Sequence, residues 1–142
     1  MFDFVQKDTN RDCTQCLEKI RNLEKKYNIV FPPILKKYYE KHDGQKIRLC
    51  MLNVRGYECE ISKMVPIISD KLSFEELTDG DRSDGILPTS FFPLARDRGG
   101  NYYYWDAVSG KVFYVPIDDY GHPFKVADSV QELFEIMAPI VE

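Results

Sequence analysis

Apolar positions in the first third of the chain recur at three- and four-residue spacing. Cys16, Leu17, Ile20, Leu23 and Tyr27 fall on one stripe, which predicts a helix over residues 9–30. Asp12 with Gln15, or Thr9 with Asp12, can cap its start by offering a side-chain oxygen to the orphan backbone N–H groups. Phe31-Pro32-Pro33 breaks the stripe and opens a second helix, because proline at the first helical position gives up no intrahelical bond. Leu35, Tyr38, Tyr39 and His42 follow at i, i+3, i+4 and i+7, and Gly44 is placed to end the helix in a left-handed conformation.

The period then changes to two. Ile47, Leu49 and Met51 alternate with Arg48 and Cys50, and Tyr57, Cys59 and Ile61 alternate with Glu58, Glu60 and Ser62. Two strands around residues 53–56, each with one buried face, are expected. Ser73-Phe74-Glu75-Glu76 has capping-box spacing and opens a short helix, followed by a polar loop over 77–86. Phe91–Ala95, Tyr102–Asp106 and Val112–Val115 are further strands, the last two forming a hairpin. Within the second, Tyr102 and Tyr104 share one face and Tyr103 and Trp105 the other; either pair can be the inward one. Val130, Leu133, Phe134 and Met137 repeat the helical spacing, capped by Asp128 with Gln131 or Ser129 with Glu132. This order predicts an α+β fold: an antiparallel-rich mixed sheet, two N-terminal helices and a closing C-terminal helix. A chain of 142 residues fits one domain, 1–142, with residues 1–10 expected to fray.

Charge narrows the partners. Lys+Arg is 19 and Asp+Glu is 23, so 19 − 23 gives a net −4. That disfavours a dedicated nucleic-acid binder, which needs a basic footprint, and favours a basic partner. No apolar run approaches the roughly 20 residues of a spanning helix. The start, MFDFVQKDTNRD, has no apolar signal core, so a cytoplasmic location is expected, and with it thiols at all four cysteines.

Several segments invite chemical readings. Cys13-Thr14-Gln15-Cys16 has redox or half-zinc spacing, but no strand precedes it. Both cysteines continue the apolar stripe, which favours core packing. Asp79-Gly80-Asp81-Arg82-Ser83-Asp84 resembles a cation loop; Ser83 and Ser90 fall where the EF-hand pattern needs its fifth and twelfth ligands, so the pattern fails. Arg98-Gly99-Gly100-Asn101 precedes a strand, whereas a phosphate loop precedes a helix. His42 and His122 have no nucleophile placed beside them in the sequence. No catalytic group, metal or cofactor is expected.

Four blocks in order carry a resemblance. They are Ile29-Val30-Phe31-Pro32 with a helix ending in His42-Asp43-Gly44; Phe92-Pro93-Leu94-Ala95 with Asp97 and Gly99-Gly100-Asn101; the aromatic strand to Asp106 with Gly110-Lys111-Val112-Phe113-Tyr114; and Val126-Ala127-Asp128-Ser129. Together they span about residues 15–138 and resemble the Smi/Knr branch of the SUKH superfamily. Trp105 stands where a small or aliphatic residue is more usual, and Asp43 where Asn is common. The resemblance implies an α+β fold. It implies either an immunity protein that binds and neutralises a cognate toxin, often a nuclease or deaminase, or a regulatory or scaffold module without a toxin. The expected state is a monomer or weak homodimer, with no direct nucleic-acid or membrane partner. On that basis the acidic and aromatic residues Asp79, Asp81, Asp84, Asp97, Tyr102, Tyr104, Asp118 and Asp119 are the candidate partner-binding set. Gly99 and Gly100 are expected to serve a tight turn, with Asp97 and Asn101 bonding local backbone. A metal protein or enzyme built on Cys13, Cys16 and a histidine is the remaining alternative.

Overall fold

The computed structural model describes residues 2–6, 14–69, 71–119 and 122–140. Helix α1 spans Thr14–Tyr27 and buries Cys16, Ile20 and Leu23, as the stripe requires. Its predicted first turn, with Thr9 and Asp12, lies outside the described residues. At its end Asn28 adopts φ 56° and the Ile29 N–H returns to the Glu24 carbonyl at 3.0 Å, closing the helix with a left-handed cap. Glu24 also accepts the Phe31 N–H at 2.8 Å, which fixes the step into α2, Pro33–His42. Cys16 is disulfide-bonded rather than a thiol, which corrects the expectation there; Cys50 and Cys59 are free thiols, and Cys13 lies outside the described residues.

Strands β1 (Cys50–Val54) and β2 (Tyr57–Ile61) form the expected hairpin, joined at Arg55-Gly56. β1 begins three residues late and in the opposite phase: Cys50 and Leu52 are buried, not Leu49 and Met51. Ile47 is spent in an isolated bridge to Val5, residues 48 and 49 belong to no strand, and the alternation restarts one residue out of step. β3 is Lys63–Met64.

The largest correction concerns residues 77–86. All but Gly85 and Ile86 belong not to a loop but to the body of α3, Phe74–Asp84. Ser73 accepts the Glu76 N–H at 3.2 Å, and Gly85 at φ 67° returns its N–H to the Asp81 carbonyl. The inward stripe is Phe74 and Thr78, buried, with Leu77 and Asp81, half-buried; it is helical in spacing but half polar, so periodicity in apolar residues does not reveal it. Thr78 satisfies its hydroxyl on the Phe74 carbonyl at 2.7 Å.

Strands β4 (Phe91–Arg96), β5 (Tyr102–Asp106), β6 (Val112–Val115) and β7 (Phe124–Ala127) follow, then α4 (Val130–Ile136) and β8 (Ala138–Pro139). Ser129, not Asp128, caps α4 by accepting the Glu132 N–H at 3.0 Å. The strands make two antiparallel sheets, ordered β2-β1-β8 and β3-β4-β5-β6-β7. The core lies on one face of the five-stranded sheet. There Trp105 meets Phe31 and Phe92 at ring distances of 5.6 and 5.4 Å, and Phe74 stacks on Phe92 at 5.8 Å. Tyr103 and Trp105 are therefore the inward pair.

Candidate partner-binding surface

The turn between β4 and β5 is built on Asp97. Its carboxylate accepts the Asn101 N–H at 2.9 Å, the Asn101 side-chain amide at 3.0 Å and the Tyr114 hydroxyl at 2.6 Å. Gly100 supplies the left-handed residue of the turn, φ 86°. Asn101 passes the connection on by accepting the Ile117 N–H at 2.7 Å. Asp97 is 7% exposed. Burial opposes its charge, but the hydrogen bonds from Tyr114 and Asn101 prevail and hold its pKa below the ordinary aspartate range. It is an internal tie between the turn and β6. Next to it, Arg98 grips Glu60 of β2 through Nε and Nη2, the shortest contact being 2.7 Å.

The acids of α3 divide by helix face. Asp79 accepts from the Tyr27 hydroxyl at 2.6 Å and pairs with Lys26 at 2.9 Å; Lys26 also pairs with Glu75, as does Lys19. The Tyr27 hydroxyl bond and then Lys26 lower the Asp79 pKa, while burial and that same bond push Tyr27 up to about 12. Asp81 turns the other way, toward β5. Burial raises its pKa and a hydrogen bond from Tyr104 only partly offsets this; its Oδ2 is enclosed without a protein donor. Asp84, one turn on, is exposed. Asp118 and Asp119 are exposed in the segment after β6, with Asp119 2.6 Å from His122 Nδ1. That contact raises the His122 pKa.

Away from the core, the five-stranded sheet carries a row of rings. Phe91 stacks on Phe113 at 5.0 Å, Tyr104 lies 6.1 Å from Phe91, and Tyr102 lies 6.4 Å from Tyr104. Phe91, Phe113 and Tyr104 stand outside the core cluster. Tyr104 is only 4% exposed, enclosed among its neighbours, while Tyr102, Phe91 and Phe113 are half-buried. The structure thus brings Asp81, Tyr104 and Tyr102 together, with Asp84 following Asp81 on α3. It places Asp118 and Asp119 beyond the Tyr102–Val115 end of the sheet, ties Asp79 to α1 and encloses Asp97. Phe91 and Phe113 were not singled out in the sequence. Their register opposite Asp106 and Tyr104, counted back from the hairpin turn, is the signal that places them on this face.

Among the described residues no three His, Cys, Asp or Glu side chains converge as metal ligands, and no helix is long and apolar enough to cross a membrane. The Cys16 sulfur, held in a disulfide, offers no thiolate charge to a metal. Burial pushes the Cys50 thiol up to about 11 and raises Cys59 as well, so neither is poised as a nucleophile at neutral pH. The model of the SMI1 / KNR4 family (SUKH-1) matches residues 17–136, from the first helix to the last. No curated protein matched the chain.

Proposed function

The chain belongs to the SMI1 / KNR4 family (SUKH-1), and we propose that it is a non-catalytic, cytoplasmic immunity protein that neutralises a cognate toxin by direct binding. Membership supports an immunity or related regulatory role in general terms. The finer reading is carried by the aromatic row on the outer sheet face, edged by Asp81 and Asp84. Rigid rings, Tyr102 with a polar tip among them, are suited to an interface centre, and carboxylates at its edge steer a basic partner. The mechanism is occlusion: the face docks on the toxin's active surface or beside it, and the exposed acids, including Asp118 and Asp119, speed encounter.

The test is co-expression of the chain with the product of the neighbouring reading frame, followed by capture at low and moderate salt. A single partner, toxic alone and harmless with this chain, is expected. Tyr102→Ala and Asp84→Lys should each weaken its capture, Asp84→Lys the more so at low salt. Capture of housekeeping proteins alone would instead support a regulatory or scaffold module, and an interface insensitive to both variants would move the site off this face.

A further inference from the structure

A second surface lies at the corner where the α1–α2 connection, α3, the entry to β4 and the β5–β6 turn meet. It is a cleft of about 490 Å³. Its lining includes Asn28 and Val30 on one side, Val108 on another, and Tyr27, Arg82 and Phe92. Both flanks are held in place. The Asn28 wall is the left-handed cap of α1, and the Val108 turn is pinned by Asp106, which accepts the Val108 N–H at 3.0 Å and the Ser109 hydroxyl at 2.9 Å. Val30 and Val108 are 76% and 85% exposed, a high value for apolar side chains lining the same cleft.

Arg82 sets the chemistry. Its guanidinium lies over the Tyr27 ring at 5.1 Å and the Phe92 ring at 5.5 Å, and Nη2 donates to the Thr89 carbonyl at 2.9 Å. Among the described residues no carboxylate stands within ion-pair distance of it: Asp79, one turn earlier, is engaged by Lys26 and Tyr27. A guanidinium has five N–H donors, and one seated over two rings and tied to a single carbonyl keeps donors for a planar acceptor. The cleft therefore presents a tethered cation, which Asp79 feels only through longer-range attraction, between the exposed valines Val30 and Val108 on a floor that also holds the polar Asn28, Thr89 and Ser90.

We propose that this cleft receives an acidic peptide segment of a protein partner, with an Asp or Glu carboxylate on Arg82 and flanking apolar side chains against Val30 and Val108. The charge fits this occupant and disfavours the other anions. A free phosphate makes no use of the valines. A polyanion such as nucleic acid would meet a chain of net charge −4, with Glu76 and Asp84 exposed on the same helix, and like charge repels it. A single carboxylate on an otherwise apolar peptide uses the valines and meets far less of that repulsion than a polyanion does. The proposal does not rest on the toxin-binding role of the outer sheet face, because the cleft shares no residue with it.

The probe is a library of phage-displayed random heptapeptides, selected on the intact chain and counter-selected on Arg82→Gln. Peptides with an acidic residue flanked by apolar ones are expected to enrich. A synthetic hit should perturb the fluorescence of Trp105, whose ring lies 5.4 Å from that of Phe92 in the cleft wall. Replacing its acidic residue by the amide should weaken binding about tenfold, the scale of a charge-assisted hydrogen bond. Arg82→Gln should do the same with an unchanged circular dichroism spectrum. Val108→Ser, on an exposed turn, should weaken binding severalfold while keeping its dependence on the acid. No enrichment, hits without acidic residues, or hits that bind Arg82→Gln equally well would overturn the proposal. None of these outcomes depends on whether a toxin is captured.

Discussion

Asp97 and Asp81 are carboxylates of opposite character. Asp97 holds its proton more weakly in the folded chain than in the unfolded one. Its stabilisation is complete above the ordinary value of 3.8 and is lost as pH falls through its lower folded value. Asp81 holds its proton more tightly when folded, so it becomes destabilising as pH rises from 3.8 through its raised folded value. Asp97→Ala orphans the Asn101 N–H and the Tyr114 hydroxyl and is expected to cost about 2–4 kcal/mol in urea unfolding at pH 7. Asp81→Asn keeps an acceptor for Tyr104 without the charge, and should match or exceed wild type at pH 7 by up to about 1 kcal/mol. That advantage should vanish by about pH 3, where the native carboxyl is protonated too. A clear loss of stability for Asp81→Asn at pH 7 would mean that its charge is compensated by a contact other than Tyr104.

Helix α3 shows where sequence patterns were legible and where they were not. Its start was readable because Ser73 and Glu76 obey a local rule. Its body was not, because the polar Thr78 and Asp81 occupy inward positions of the stripe and bond to Phe74 and Tyr104, contacts that only the folded structure discloses. The caps make the assignment testable. Ser73→Ala should cost about 1 kcal/mol through the lost N-cap. Gly85→Ala should cost roughly 1–2 kcal/mol from left-handed strain alone, since an added Cβ there meets no atom within 4 Å. Two changes of less than about 0.5 kcal/mol, measured by thermal and urea unfolding, would be inconsistent with a helix over these residues. The same contrast holds for the candidate surface. The aromatic alternation at 102–105 could be read directly. That Asp97 is enclosed and Asp84 exposed follows from how the β4–β5 turn meets β6 and how α3 lies along the sheet, neither of which is local in sequence.

At the scale of the molecule, each of the two sheets ends, among the described residues, in strands with one side unpaired. β7 closes the five-stranded sheet and β2 the three-stranded one. The tip of the β1–β2 hairpin reaches the first of these. Tyr57 meets the Phe124 ring at 5.6 Å, and Arg55 lies over the same ring and donates to the Lys125 carbonyl at 3.5 Å. Tyr57 itself is 66% exposed, so the contact adds little to folding stability. Its consequence is of another kind. A bare strand edge is a template on which further chains can add, and a bulky ring with a cation beside it obstructs that addition. Tyr57→Ala should therefore leave the unfolding midpoint nearly unchanged yet shorten the lag before thioflavin-binding fibrils form in concentrated solution. An unchanged lag would show that β7 is guarded from elsewhere. The hairpin tip would then set how long the chain stays dispersed when crowded by its own copies, independently of what it binds.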